Sequence, residues 1–187
     1  MSVTDELLTN NASYAAGFTK GDLPMPPGKK VAVLAYMDAR LDPARALGLE
    51  EGDAHVIRNA GGVVSEDAIT SLVIGQRLLC TEEIIFIHHS DFGTLTFTDG
   101  AVKDQIERDT GIRRSFALEA FPDLDADVRQ SIARTKASPF IPHSDKVRGF
   151  VYQVEDGGCA RWCEPGLAGG GTSSRPARPA QRRVESG

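Results

Sequence analysis

The chain has 187 residues, which is long enough for one globular domain with a substantial hydrophobic core. Its composition is ordinary for a soluble protein at 41% hydrophobic and 25% charged, and no run of about 18 apolar residues predicts a membrane-spanning helix. The formal net charge of −5 argues against a nucleic-acid-binding domain, because phosphate contacts need clustered lysines and arginines.

The N-terminal residues and the cysteine content predict a cytoplasmic protein. The chain begins with polar and acidic residues and lacks the basic and apolar stretches of a secretory signal. Its three cysteines are too few for a disulfide framework. We therefore expect an intracellular protein that is not stabilised by disulfides.

Changes in composition divide the chain into four regions. Residues 1–20 contain a predicted helix that begins at Thr4, and its sparse apolar face indicates that it docks on the domain or on a second subunit. Residues 21–30 are a Pro/Gly linker that cannot continue a helix. The folded domain is predicted at 31–158, and the Gly-, Arg- and Pro-rich residues 159–187 are predicted to be a disordered tail.

Strands alternate with helices through the domain, which predicts βαβ units in the α/β class, with a mainly parallel sheet flanked by helices. Continuous apolar runs are typical of strands buried on both faces, and Asp42-Pro43 and Ser65 predict the starts of two helices. The predicted elements, in chain order, are a strand at 31–35, a short helix after 42, a strand at 54–57, a helix at 66–79, a strand at 83–88, helices near 98–110 and 124–136, and a strand at 147–154.

Three polar segments follow directly after predicted strands, at residues 36–40, 58–62 and 89–93. In a parallel sheet, ligands bind at the carboxyl ends of the strands. The sequence therefore predicts a functional site where these three segments meet.

These segments resemble the signature motifs of the β-class carbonic anhydrases in order and spacing, and most closely those of the short actinobacterial members. Tyr36-Met37-Asp38-Ala39-Arg40 stands where the family has Cys-x-Asp-x-Arg, and Arg58-Asn59-Ala60-Gly61, with His55 before it, matches the middle motif. His89-Ser90-Asp91-Phe92-Gly93 stands where the family has His-x-x-Cys-Gly. The resemblance runs from about Ala15 to Val154. It implies the family's fold, zinc-dependent hydration of carbon dioxide, and oligomers that pair through the N-terminal helix.

The resemblance places the family's zinc ligands at Tyr36, His89 and Phe92, and this set departs from the family. Phenylalanine offers zinc no donor atom, and a neutral tyrosine with a pKa of about 10 is a poor ligand. Without zinc there is no bound water with a pKa near 7 to supply hydroxide. We therefore expect neither a zinc cofactor nor zinc-hydroxide chemistry, and the alternative of another metal held by Asp38, His89 and Asp91 stays open.

The remaining groups of the three motifs form the candidate site. The resemblance implies that Asp38 and Arg40 are a dyad, in which an arginine fork aims the carboxylate as a general base or, alternatively, only pins the loop. His89 serves either as an acid or base near neutral pH or as a ring packed against aromatic neighbours. Gly61 and Gly62 are most simply a tight turn, although their amides could bind an anion.

Three histidine and arginine residues near the site are predicted to be structural. The resemblance implies that His55 and Arg58 brace the loop beneath the site. Strand alternation sends His88 to the opposite face from His89, toward the core or a helix.

The substitutions at positions 36 and 92 both place a bulky ring where the family has a thiolate, so Tyr36 and Phe92 are expected to line an apolar pocket for a small, partly apolar molecule. The first functional hypothesis is a metal-independent lyase or hydrolase acting on a small carbonyl or carboxylate compound, with Asp38 as base and Arg40 as its orienting partner. The second is a non-catalytic homologue that binds a small anion or has a structural role, and the third is residual carbonate dehydratase activity. The expected assembly is a homodimer or higher homo-oligomer, without nucleic acid or membrane partners.

Overall fold

The computed structural model describes residues 2–90, 98–115 and 123–162. Five helices and five strands lie in these ranges. In chain order they are α1 (Val3–Ala16), β1 (Val31–Tyr36), α2 (Pro43–Leu47), β2 (Ala54–Asn59), α3 (Glu66–Leu78), β3 (Glu83–His89), α4 (Asp99–Thr110), α5 (Leu124–Ala137), β4 (Val147–Tyr152) and β5 (Cys159–Arg161).

The strands form one sheet in the order β2-β1-β3-β4-β5, and this confirms the predicted α/β class. The first four strands run parallel, and β5 pairs antiparallel with β4. All six residues of the interior strand β1 are buried, because helices and loops cover both faces of the sheet. The apolar run at 31–36 is therefore the sequence signature of this interior position.

Two hydrophobic clusters lie on opposite faces of the sheet. One includes Leu34 and Phe86 together with Leu72 of α3, and the other includes Val33 and Ile87. Alternate residues of each strand contribute to opposite clusters, as the period of a strand requires. The carboxyl ends of β1 and β3 are thus held rigidly between two packed layers.

The helix starts predicted at Asp42 and Ser65 are confirmed. Asp42 accepts hydrogen bonds from the first amides of α2, with proline at the first helical position, and the Ser65 hydroxyl accepts from the amide of Ala68 in α3. These caps satisfy backbone donors that have no partner within the helix.

The N-terminal helix starts earlier than predicted. Ser2, rather than Thr4, is its N-cap, and Ser2 and Asp5 form a reciprocal capping box. The helix ends at Ala16, and none of its residues is buried. That this helix packs against another surface stays a prediction.

The sheet continues past residue 158, where the sequence placed the end of the folded domain. Gly157, with a φ of +76°, and Gly158 reverse the chain after β4, so that Cys159–Arg161 returns along it as β5. Trp162 then donates its backbone N–H to Gly149 in β4 and its indole N–H to Asp125 in α5. The sheet therefore extends into the predicted tail, and residues 163–187 lie outside the described ranges.

No helix in the described part of the chain combines the length and apolarity that crossing a membrane would require.

Candidate functional site

The candidate site lies at the carboxyl ends of β1, β2 and β3. The chain leaves β1 to reach β2 on one side and then crosses back to β3 on the other, so the connections diverge above β1. Such a divergence opens the crevice in which parallel sheets bind ligands. The described parts of the three predicted segments meet at this place.

Asp38 and Arg40 form a closed ion pair in the loop that follows β1. The guanidinium of Arg40 donates from Nη2 to Asp38 Oδ2 at 2.7 Å and from Nε to Oδ1 at 3.0 Å. The backbone N–H of Arg40 also donates to Asp38 Oδ1 at 2.8 Å. The Asp38 side chain is 18% exposed and that of Arg40 is 49% exposed, so both reach solvent.

This pairing changes the acid strength of Asp38. The side-chain hydrogen bonds from Arg40, followed by its backbone N–H, hold the pKa of the Asp38 carboxyl well below its usual range. The carboxylate is therefore ionised at every physiological pH. Because its affinity for a proton is low, it is better suited to orient a hydrogen-bond donor than to remove a proton.

His89 lies behind this pair and is completely buried. Its Nε2 atom is 3.6 Å from Asp38 Oδ2. The ring of Tyr36 meets the imidazole edge to face, with ring centroids 4.4 Å apart and an interplanar angle of 76°. This arrangement matches the expectation that His89 packs against an aromatic ring, and the burial keeps solvent away from the imidazole.

Arg58 has the bracing role that was expected of it. Its guanidinium donates to the carbonyl oxygens of Tyr36, Asp38 and Leu41 at 3.1, 2.7 and 2.8 Å. One side chain of β2 thereby fixes the loop that carries the Asp38–Arg40 pair.

His55 lies elsewhere, near Gly75 of α3, with its Cδ2 atom 4.0 Å from the position that a Cβ on Gly75 would take. Its ring lines a groove between β2 and α3 rather than the loop of the site. The reason is strand alternation: His55 is three residues before Arg58, so the two side chains point to opposite faces of the sheet.

Gly61 and Gly62 form a buried turn that enters the gap between β1 and β3. The amide of Gly62 donates to the carbonyl of Asn59, and a Cβ at Gly62 would lie 3.0 Å from the backbone nitrogen of Tyr36. Gly62 also has a φ of +63°, which favours glycine. The geometry matches a tight turn, and the Gly62 amide is already used within it.

His88 points to the opposite face of the sheet, as strand alternation requires. Its Nδ1 atom lies 2.8 Å from Asp127 Oδ2 of α5, and both side chains are almost fully buried. The contact with a helix confirms the expectation for His88. Asp127 was not predicted, because its place in the amphipathic pattern of α5 gives no sign of a partner in β3.

The described donor atoms at the position where the resemblance places zinc differ from the imidazole and thiolate set that it implies for the family. Among described residues they are the His89 imidazole, the Tyr36 hydroxyl and the Asp38 carboxylate, which Arg40 already holds. Zinc sites in proteins use three or four nitrogen, sulfur or oxygen ligands, predominantly thiolate, imidazole and carboxylate. In the ranges that the structure covers, no group of three or more His, Cys, Asp or Glu side chains could hold a metal ion.

Asp91 and Phe92 lie outside the described residues, in the gap between 90 and 98. The wall that Phe92 was expected to give the apolar pocket, and the Asp91 carboxylate of the alternative metal site, therefore stay predictions. What is established at residue 92 is its chemistry, since a phenyl ring supplies no metal ligand.

Comparison with known proteins gives strong matches over most of the chain, although no family model matches it. The chain is 55% identical over 157 residues to beta-carbonic anhydrase 1 of Mycobacterium tuberculosis, covering 84% of this chain and 96% of the relative. It is 31% identical over 175 residues to the carbon disulfide hydrolase of Saccharolobus solfataricus, covering 81% of this chain and 84% of the relative.

A solved structure agrees with these relatives. The crystal structure of carbonic anhydrase from Streptococcus mutans superposes with a TM-score of 0.81 at 40% identity, covering 86% of this chain and 98% of that one. The similarity in sequence and in fold therefore extends over nearly the full length of that protein.

Proposed function

This chain belongs to the β-carbonic anhydrase family, and we propose that it has lost the family's zinc-dependent hydration of carbon dioxide. One observation carries the proposal: a tyrosine ring packs against His89 where the resemblance places a zinc-binding thiolate. A single imidazole with an aromatic neighbour does not provide the ligands that retain zinc. The phenylalanine at residue 92 removes a second ligand from the same set.

We further propose that the site acts without a metal, as a lyase or hydrolase on a small carbonyl or carboxylate compound. The Asp38–Arg40 pair supplies its exposed polar groups. The carboxylate, kept ionised by Arg40, would accept a hydrogen bond from water or substrate and orient it, and the guanidinium would face developing negative charge. Relatives named carbon disulfide hydrolases support a hydrolytic use of this scaffold on other small molecules.

Metal analysis of the purified protein, together with a carbon dioxide hydration assay, tests the first proposal. We expect far less than one zinc per chain and no hydration above the buffer rate. Stoichiometric zinc with rapid hydration would refute the proposal and would support residual carbonate dehydratase activity. A double variant, Tyr36→Cys with Phe92→Cys, restores both thiolates and is expected to gain zinc, while Tyr36→Cys alone is the control that lacks one ligand.

The Asp38→Asn variant tests the second proposal. A library of small carbonyl and carboxylate compounds is first screened by thermal shift, and compounds that bind are then assayed for turnover. Loss of the carboxylate is expected to reduce turnover about tenfold or more. This is a small part of the rate enhancement that well-oriented groups can provide. The matched control is Asp42→Asn, four residues away, because asparagine caps a helix as well as aspartate does. Unchanged turnover in Asp38→Asn would remove Asp38 from its role.

A non-catalytic anion-binding homologue is the second candidate, and the burial of His89 with the low pKa of Asp38 favours it. The same variant separates the two candidates. If the protein only binds an anion through Arg40, removing the neighbouring negative charge would tighten binding, and no compound would be turned over. For an enzyme, the same change reduces turnover.

We also propose that α1 docks on a second copy of this chain. None of its residues is buried, and Leu7 and Leu8 are more than half exposed. An apolar groove of about 390 Å³ lies between the edge strand β2 and α3, lined by residues that include Val56 and Ile74, and we propose it as the docking place. This docking would remove two apolar surfaces from water, the exposed face of α1 and the groove between β2 and α3.

Light scattering tests this assembly. The wild type is expected to be a dimer or larger, and Leu7→Glu with Leu8→Glu is expected to shift it toward monomer. The control places the same two charges on polar positions of the same helix, as Asn10→Glu with Asn11→Glu. A monomeric wild type, or equal dissociation in both variants, would contradict the proposal.

A further inference from the structure

A buried pair of ionisable side chains lies on the far side of the sheet from the candidate site. His88 Nδ1 and Asp127 Oδ2 are 2.8 Å apart, and the two side chains are 0% and 5% exposed. The pair joins the next-to-last residue of β3 to the first turns of α5. Neither residue has a part in the function proposed above.

Strand β1 does not pair with the last two residues of β3. Within the described residues, the pairing of β1 with β3 stops at Ala35 and Ile87, where the Gly62 turn enters between the two strands. His88 and His89 continue beyond this point, paired with Val151 and Tyr152 of β4. Their position therefore depends on β4 and on side-chain contacts with the helices.

Burying such a pair costs free energy unless the two groups are close and well oriented toward each other. A carboxylate removed from water needs a close partner, and an apolar pair of similar volume often stabilises a core as well. What a polar pair adds is a fixed distance and direction between two elements. In this fold the two elements are α5 and β3, and His89, the residue after His88 in β3, enters the site.

We propose that Asp127 is a positioning residue: through His88 it fixes the end of β3 and so holds the His89 imidazole in its place beneath Tyr36 and beside Asp38. This positioning role of Asp127 does not depend on the reaction that the site performs. It predicts that a change on one face of the sheet is measurable on the opposite face, at an atom that Asp127 does not contact.

Histidine-labelled protein observed by NMR tests this inference. The chain has only four histidines, so the imidazole signals can be assigned with one His→Gln variant for each. The readouts are the His89 ring signals and the nuclear Overhauser contact between the His89 and Tyr36 rings, whose centroids are 4.4 Å apart. Asp127→Asn keeps the shape of the side chain and removes its charge. The matched control is Ser131→Ala, a buried polar position one turn later in α5.

In Asp127→Asn, we expect the His89 signals to shift and the contact with Tyr36 to weaken, while Ser131→Ala leaves both as in the wild type. Circular dichroism confirms that each variant is folded. If Asp127→Asn does not fold, Asp127→Glu keeps the charge and adds one methylene, and it is expected to shift the His89 signals in the folded protein. His89 signals unchanged in a folded variant whose His88 signals move would overturn the inference, because the pair would then be acting on stability alone.

Discussion

At the scale of single residues, Gly62 is a position that tolerates little change. It combines a left-handed backbone, with a φ of +63°, and a close approach to the backbone of β1 and β3. A Cβ there would be 3.0 Å from the nitrogen of Tyr36 and 3.4 Å from the carbonyl oxygen of Ile87. Neither backbone atom can move without disturbing the central strands.

Gly62→Ala is therefore expected to lower the free energy of unfolding by two separate effects. The left-handed conformation alone costs about 1–2 kcal/mol for a residue with a Cβ, and the contacts with β1 and β3 add about 1–3 kcal/mol of overpacking. Urea denaturation measures the sum. Gly48→Ala is the matched control, because Gly48 has the same φ of +63° and nothing within 4 Å of its Cβ position. Equal losses in the two variants would show that the close approach has no energetic effect.

The short motifs predicted some residues of the site better than others. The family resemblance implied that Asp38 and Arg40 form a dyad and that Arg58 braces the loop beneath the site, and both contacts are present in the structure. The complete burial of His89 could not be predicted. It depends on contacts with residues distant in the chain, such as the Tyr36 ring, and no local pattern reports such packing.

At the scale of elements, the close contact of α5 with β4 depends on a glycine, which has no side chain. Gly149 lies beneath α5, and a Cβ there would be 2.5 Å from Val128 Cγ1 and 3.2 Å from Ile132 Cδ1. The glycine lets the helix approach the sheet closely enough for Val128 to be fully buried.

Gly149→Ala is expected to destabilise the protein by about 1–3 kcal/mol, since the helix must move or its side chains must leave their rotamers. Val128→Ala removes the nearest methyl groups, so the double variant is expected to be more stable than the sum of the single effects by about 0.5–3 kcal/mol. Thermal or urea unfolding of the four proteins gives this coupling. Additive effects would place the strain elsewhere than between these two residues.

The elements themselves were largely predictable, and the exceptions have physical reasons. Helix starts are encoded locally by caps such as Asp42 and Ser65, and buried parallel strands by continuous apolar runs. The strand Cys159–Arg161 was missed because it is short and contains no apolar run. The turn at Gly157-Gly158 before it was the one available signal.

At the scale of the whole molecule, Glu82 joins the amino-terminal ends of three strands. Its carboxylate accepts from Lys30 before β1 at 2.9 Å and from Lys146 before β4 at 3.1 Å, while Glu82 itself precedes β3. The two lysines, Lys30 before Lys146, lower the pKa of Glu82 from about 4.5 to about 2. The network lies at the opposite end of the sheet from the candidate site.

Because this pKa is lower in the folded protein, the network stabilises the fold above pH 4.5, and its contribution is lost as the pH falls toward 2. In Glu82→Gln, the free energy of unfolding is expected to fall less steeply than in the wild type over this interval, as measured by denaturation at a series of pH values. Glu66→Gln is the control, since it removes an ion-paired carboxylate of the same size that is far more exposed than that of Glu82. Parallel curves for wild type and Glu82→Gln would contradict the assignment.

The three hydrogen bonds of Arg58 have a consequence for the assembled protein. Arg58 lies two residues after Val56 in β2, so the strand that borders the proposed docking groove also holds the loop of the Asp38–Arg40 pair. A second copy seated on that groove would restrain the edge strand and, through Arg58, the geometry of the ligand site. By linkage, a ligand that prefers the restrained loop would bind more tightly as the protein concentration rises, and its binding would in turn promote assembly.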